Sequence, residues 1–251
     1  MTRTYLNIKA SLFVFFSIFF MLPIHTMAQA RKVMNRPYID QRQFHYGFLA
    51  GLQLMDLELI QNGYMDEEGN QWSAEAPNYE PGFCVGILGE MKLSEHFALR
   101  VIPTMHFGTK GFRFRNEKET LNEDGQPTHE RQSQNMKSTY FTVPVDLKFS
   151  AQRFNNYRPY MMVGLAPSLD LTIKHGQNLL LKRFDCFLEA GIGCDFYARW
   201  FKFIPEIKFC YGLANIINKD RSDLTDKSKL IFTESVDKGR SKMIVITFYF
   251  E

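Results

Sequence analysis

The chain has 251 residues, with 30 Lys and Arg against 27 Asp and Glu, a formal net charge of +3. That near-neutral balance gives no bulk argument for nucleic-acid binding. The 24 Phe and 11 Tyr, combined with only one long apolar run, are unusual for a soluble enzyme.

That run lies at the N-terminus. Arg3 and Lys9 give a short positive region, and Leu12 to Leu22 is continuously apolar except at Ser17. Pro23 ends it, and small residues follow at Ala28 and Ala30. This order predicts a secretory signal peptide over residues 1–30, cleaved after Ala28 or after Ala30. The run is shorter than the roughly 20 apolar residues of a spanning helix. Residues 31–43 then form a basic arm before the first strand, with Arg31, Lys32, Arg36 and Arg42 against Asp40. Two readings stand for it: an untethered, disordered end, or a periplasmic arm that docks on an acidic partner.

From residue 44 the pattern has period two, the signature of half-buried strands. Phe44, Tyr46, Phe48, Ala50, Leu52 and Leu54 share one face of the first segment, and His45, Gly47, Gly51 and Gln53 the other. The second, 82–93, sets Phe83, Val85, Ile87, Met91 and Leu93 against Gly82, Gly86, Glu90 and Lys92. The third, 97–112, sets Phe97, Leu99, Val101, Met105 and Phe107 against Arg100, Thr104 and His106. The fourth, 138–150, sets Phe141, Val143, Val145, Leu147 and Phe149 against Thr142, Asp146 and Lys148. The fifth, 159–171, sets Met161, Val163, Leu165, Leu169 and Leu171 against Tyr160, Gly164, Ser168 and Asp170. The sixth, 183–197, sets Phe184, Cys186, Leu188, Ala190, Ile192 and Phe196 against Asp185, Glu189 and Asp195. The seventh, 201–217, sets Phe201, Phe203, Ile207, Phe209, Tyr211 and Leu213 against Lys202, Glu206 and Lys208. The eighth, 242–250, sets Ile244, Ile246, Phe248 and Phe250 against Thr247 and Tyr249.

The connections alternate in length. Residues 62–81, 113–137, 172–182 and 218–241 are long and polar, whereas 94–96, 151–158 and 198–200 are short. Aromatic residues end the apolar faces, as Phe141 and Phe149 or Phe184 and Phe196 do, and the segments exceed the usual soluble strand of about 5–6 residues. These features predict an all-β fold over 44–251: an eight-stranded antiparallel transmembrane up-and-down β-barrel in the cell outer membrane, with long extracellular loops and short periplasmic turns. The apolar faces then meet lipid, and charges of both signs point inward. An eight-stranded interior is only wide enough to be filled by side chains. The expectation is a packed ion-pair network, with a proton or ion path as the alternative.

Four cysteines, Cys84, Cys186, Cys194 and Cys210, invite a disulfide reading in an oxidising compartment. Cys186 and Cys194 share one predicted strand and stand roughly 26 Å apart, which forbids a bond between them. The four read as small apolar side chains of the wall. Nothing has metal-ligand spacing, and the catalytic motifs of hydrolases, metalloproteases and nucleotide-binding proteins are missing. The sequence therefore predicts no enzyme, no catalytic, metal or cofactor-binding residues and no cofactor. A lipid-modifying barrel enzyme would need His and Ser near the outer rim. His106 has no Ser two residues away, and His129 and Ser133 fall in a loop.

Several segments resemble the PorT family. Phe44-His45-Tyr46-Gly47-Phe48 and Leu54-Met55-Asp56-Leu57 are similar to its first strand. Tyr140-Phe141-Thr142-Val143-Pro144-Val145-Asp146-Leu147-Lys148-Phe149-Ser150 resembles its middle strand, and Asn155-Asn156-Tyr157-Arg158-Pro159-Tyr160 its next hairpin. The resemblance implies an outer-membrane component of the Bacteroidetes type IX protein secretion system, which in some members also supports gliding motility. The partners it implies are outer-membrane lipid and other secretion-system proteins. A general envelope barrel for adhesion or protection remains the alternative function, with a lipid-modifying enzyme third.

Overall fold

The structure is a computed structural model that describes residues 33–63, 72–75, 80–116, 120–121, 127–128, 131–172, 180–219 and 235–251. The predicted signal peptide and its cleavage site lie outside these residues. Residues 34–251 form one compact unit.

Among the described residues a short 3-10 turn, Ile39–Gln41, precedes thirteen strands. They are β1 (Phe44–Gln61), β2 (Trp72–Glu75), β3 (Glu80–Lys92), β4 (Phe97–Val101), β5 (Thr104–Asn116), β6 (Thr120–Leu121), β7 (Pro127–Thr128), β8 (Arg131–Thr142), β9 (Val145–Ser150), β10 (Tyr157–Asp170), β11 (Phe184–Tyr197), β12 (Lys202–Gly212) and β13 (Val236–Phe250). Strand β1 pairs with β3 on one side and β13 on the other, so the sheet closes on itself. Counted as staves, β4 with β5 and β9 with β8 each make one. The wall then runs β1, β3, β4/β5, β9/β8, β10, β11, β12, β13 and back to β1, every pairing antiparallel. This is the predicted eight-stave up-and-down barrel.

The two split staves break at Pro103 and Pro144. Proline has no N–H to give to a ladder. Its carbonyl still accepts: Pro103, Pro144 and Pro167 take hydrogen bonds from the amides of Ile87, Ile102 and Val143 at 3.0, 3.0 and 3.1 Å. The wall is thus continuous across all three prolines.

Several boundaries differ from the sequence expectation. Strand β12 stops at Gly212 rather than 217, because Asn215 accepts from the amides of Ile217 and Gly239 at 3.2 and 3.1 Å and turns the chain inward. Strand β13 begins at Val236 rather than 242, because β1 reaches Gln61 and supplies partners over that length. The segment expected as a loop over 113–137 is largely strand: β5 and β8 stay paired from Thr104↔Thr142 to Arg115↔Arg131, and β2 adds to β5 through Trp72↔Asn116.

Facing follows the alternation. His45 is 5% exposed where Tyr46 is 72%, and Asp146 is fully buried where Leu147 is 40% exposed. Aromatics cluster on the outer face near the short turns. Phe48 stacks on Phe250 at 5.2 Å, Phe203 on Phe248 at 5.8 Å, and Phe97 packs on Phe149 at 5.1 Å. A second row starts towards the long loops, where Phe83 stacks on Phe107 at 4.9 Å. A strand such as β11, with 14 residues, reaches about 35 Å at roughly 3.3 Å per residue and a tilt of about 40°. That spans an apolar band about 25 Å tall with length to spare.

Candidate functional site

Every inward charge expected from the sequence is buried except Lys92, which stands at the short-turn end. They gather into layers. At the centre, Arg100 on β4 lies between two carboxylates: Nε to Glu90 at 2.7 Å and Nη1 to Glu206 at 2.8 Å. Glu206 also accepts from the hydroxyls of Tyr160 (2.5 Å) and Tyr249 (2.8 Å). The guanidinium carbon sits 4.7 Å from the Tyr160 ring centre and 5.5 Å from that of Tyr249. Arg100, Tyr249, Lys148 and Lys202 are among the largest fully buried side chains of the molecule.

Below this layer, Lys148 pairs with Asp195 at 2.8 Å and reaches Glu90 at 3.4 Å. Lys202 joins Asp195 (4.0 Å) to Glu251 (2.5 Å). Above it, Lys208 pairs with Glu189 at 3.1 Å and stands 4.0 Å from Glu206. His106 is inside the lumen, not on the rim, hydrogen-bonded to Gln53 and, at 3.2 Å, to Thr142. Asp170 accepts from Ser138 at 3.1 Å. Asp185 is buried on β11 and caps the amide of Cys186 at 2.8 Å. The carboxylate of Asp146 lies against Gly164, where a Cβ would meet its oxygen at 2.0 Å, and has no hydrogen-bond partner among the described residues.

The lumen is not polar throughout. Leu49, Met55, Leu88, Ile102, Met162, Phe187, Ile204, Met243 and Val245 are buried between the charged layers. The sequence does not mark these positions as inward, because the pattern there is apolar on both parities. Buried apolar neighbours lower the local dielectric, which strengthens each ion pair and raises the cost of breaking one.

Both ends carry contacts beyond the wall. At the short-turn end, residues 34–43 fold back across the opening. Asn35 donates to Asn156 (2.8 Å) and to the Tyr197 carbonyl (2.9 Å), and Ile39 is buried. Asp40 is the main anchor: it accepts from Tyr197 at 2.7 Å and pairs with Arg153 at 3.2 Å, while its carbonyl accepts from Lys92 at 2.7 Å. The Arg153 guanidinium stacks 3.5 Å from the Tyr197 ring centre. This corrects the reading of 31–43 as an untethered end, for the part from residue 34 onwards; the sequence shows its charge but not these partners, which lie from about fifty to more than a hundred residues away. Beneath this cap is a small cavity lined in part by Asp40, His45, Glu90, Lys92 and Lys202, with room for about one water. At the other end, Leu180, Leu181, Ile216 and Ile217 are buried. Leu181 bridges Ile217, and the amides of Lys182 and Asn218 bond the carbonyls of Ile216 and Leu180 at 2.7 and 2.9 Å.

All four cysteines are free: Cys84 and Cys210 buried in the lumen, Cys186 and Cys194 half-buried in the wall. Among the described residues, no group of three or more His, Cys, Asp or Glu is placed to hold a metal ion, and no helix is long and apolar enough to cross a membrane. Chemically, the lumen amounts to a fixed electrostatic packing, with its cations held between carboxylates.

Residues 27–218 match the family model of the outer membrane protein beta-barrel domain. No curated protein matches the sequence. Among solved structures, the chain is similar to the outer membrane protein OprG from Pseudomonas aeruginosa, at 11% identity and TM-score 0.43, covering 83% of this chain and 94% of that one. It is also similar to Neisserial surface protein A, at 10% identity and TM-score 0.42, over 83% and 98%. A third is Ail, the attachment invasion locus protein of Yersinia pestis, at 12% identity and TM-score 0.35, over 83% and 99%.

Proposed function

Since the chain belongs to the outer membrane protein beta-barrel domain family and lies in the outer membrane, we propose that it works as a sealed barrel whose contacts are made by its two ends. In this reading it is a structural or accessory component of a protein secretion machine of the type IX kind, as the PorT-like strands imply. The short-turn end faces the periplasm and the long loops face outward. No catalytic step is assigned to it.

One observation carries the reading: the lumen is blocked by ion pairs, with Arg100 clamped between Glu90 and Glu206 at its centre. A protein that cannot conduct must act through surfaces. Purified protein in a planar bilayer is therefore expected to pass almost no ions, and stable, large single-channel steps would overturn the sealed reading. Deletion of the gene tests the machine: secreted proteases or adhesins should fail to leave the cell. A second reading, adhesion or protection, is favoured by the long paired hairpin β5–β8 beyond the barrel; altered surface binding with normal secretion would select it. Altered lipid A alone would select a lipid-modifying enzyme.

A further inference from the structure

We propose that the cleft at the short-turn end, between the cap and the turns at 94–96 and 151–156, binds the phosphate of a phospholipid headgroup. The lipid belongs to the leaflet on that side, periplasmic in the orientation proposed above. The cleft shares Asp40, Lys92 and Arg158 with the small cavity under the cap and has a volume of about 190 Å³. A water needs only about 10–15 Å³, so a phosphate group fits with water around it. Lys92, Arg153 and Arg158 line the cleft together with His96, against Asp40 and Glu95. Three cations against two carboxylates leave one positive charge over.

The protein itself does not use these cations up. Asp40 is already committed: one oxygen accepts from the Tyr197 hydroxyl at 2.7 Å and the other pairs with Arg153 at 3.2 Å. Lys92 reaches only the backbone carbonyl of Asp40, at 2.7 Å. Arg158 is fixed by two carbonyls, Nε donating to Ala151 at 2.8 Å and Nη2 to Glu95. That leaves Nη1, which stands 3.9 Å from Asp40, too far for a hydrogen bond. Among the described residues, neither Lys92 nor Arg158 donates a hydrogen bond to a carboxylate. Both are half-buried, and a half-buried cation that holds only neutral carbonyls favours an incoming anion. A guanidinium already fixed in place also loses little freedom on binding one.

Depth selects the source of that anion. His96, which lines the cleft, lies 6.0 Å from the Phe149 ring centre, and Phe149 packs on Phe97 at 5.1 Å. On the neighbouring turn Phe154 and Tyr157 pack at 5.3 Å. All four of these rings are exposed, as is Leu93. They belong to the lower aromatic row, which lies at headgroup level. A cationic cleft at that level meets the phosphate of a lipid whose chains lie along the apolar wall beside Leu93 and Phe97. Phosphate offers more acceptor oxygens than a carboxylate, and the arginine fork suits it. A free phosphate ion carries the same chemistry but makes no use of the exposed rings beside the cleft.

The test uses full-length protein in a neutral detergent, with binding read by native mass spectrometry. The probes are dioctanoyl phosphatidylglycerol, dioctanoylglycerol, which lacks the phosphate, and inorganic phosphate. Binding in detergent does not depend on the orientation in the membrane. Wild type should bind the phospholipid, more weakly as salt rises, and should bind dioctanoylglycerol far less. The variant K92Q/R158Q should lose about tenfold or more in affinity, the worth of one charged hydrogen bond, while keeping its heat-modifiable gel shift. R199Q removes an exposed cation from the next turn, outside the cleft, and should bind like wild type. If the double variant does not assemble, K92Q alone decides, with an expected loss of about threefold. Equal binding by wild type and the assembled variants overturns the proposal, as does equal affinity for dioctanoylglycerol. A loss in R199Q as large as in K92Q/R158Q overturns it in favour of a diffuse attraction to that end. Displacement of the lipid by inorganic phosphate at equal concentration overturns it in favour of a site for the free anion.

Discussion

The carboxylate of Glu251 lies 2.5 Å from Nδ1 of His45, so the residue that follows β13 is tied to the second residue of β1. Lys202 of β12 holds the same carboxylate at 2.5 Å, and the backbones of Lys202 and Glu251 exchange hydrogen bonds at 2.8 and 3.0 Å. The seam where the barrel closes is therefore locked by a side chain just beyond the final strand. Burial alone would push the Glu251 carboxyl up; the hydrogen bond from His45 and the charge of Lys202 outweigh it and hold the value down to about 2 from an ordinary 4.5.

A pH dependence follows. A carboxyl whose folded value is depressed contributes stability that is fully present above its unfolded value and lost as pH falls through its folded value. Glu251→Gln should destabilise the barrel by up to about 3 kcal/mol at neutral pH. The gap between wild type and variant should close between about pH 5 and pH 2, read from urea unfolding midpoints at each pH. A gap that is the same at pH 7 and pH 2 would show that the seam does not depend on this charge.

Removing the central cation should cost more. Arg100→Met leaves the buried carboxylates of Glu90 and Glu206 without their main partner, and breaking a buried pair in this way costs about 3–5 kcal/mol. Lys148 still reaches Glu90 at 3.4 Å, and Tyr160 and Tyr249 still donate to Glu206, so partial compensation sets the lower figure. The companion R100M/E206Q should recover part of the loss. Denaturant titration in detergent checks both. A single variant as stable as wild type would mean that the centre is held by apolar packing around it.

Much of this was legible in the sequence, for a physical reason. Lipid on one side and packed charge on the other force each wall position to one character, so Leu147 and Asp146, one residue apart, differ plainly. Stave count, facing and the charged set all follow from that alternation. The contacts at the two ends do not. Asn215 turning β12 inward and Asp40 meeting Arg153 and Tyr197 are contacts between residues remote in sequence, and no local period encodes them. The apolar layer of the lumen was hidden for the opposite reason: Leu49 and Leu88 lie between outward apolar neighbours, so alternation vanishes where both faces are apolar.

Facing itself can be tested at mid-wall. Leu147 pairs with Leu99 and Val163, and Leu188 with Leu165 and Tyr211, all on the outer face. Leu147→Arg and Leu188→Arg should each impair insertion, at about 2–4 kcal/mol for a charge near the midplane. Thr142→Arg instead adds bulk inside, beside His106, and should disturb packing without a lipid penalty. Heat-modifiable migration after refolding into vesicles is the measure. Assembly of Leu147→Arg equal to wild type would reverse the assigned faces.

The cap at the short-turn end gives the last prediction. Asp40 holds residues 34–43 through Tyr197, Arg153 and, at 3.9 Å, Arg158. No strand of the wall includes these residues, so Asp40→Ala should leave the barrel assembled and its gel shift intact. The ties that remain are hydrogen bonds: Asn35 to Asn156 and Tyr197, Arg36 to the Glu251 carbonyl at 3.2 Å, and Lys92 to the Asp40 carbonyl. With the carboxylate gone, Arg153 keeps carbonyl and amide oxygens and the Tyr197 ring as partners but no anion, and the segment should open more often. Local opening exposes backbone to protease in proportion to its population. Trypsin should therefore cut after Arg36 or Arg42 at least several-fold faster in the variant, with the barrel fragment resistant in both proteins. Equal cleavage rates would mean that Asp40 is not what holds the cap. The companion variant N35A would then show whether the hydrogen bonds to Asn156 and Tyr197 hold it instead.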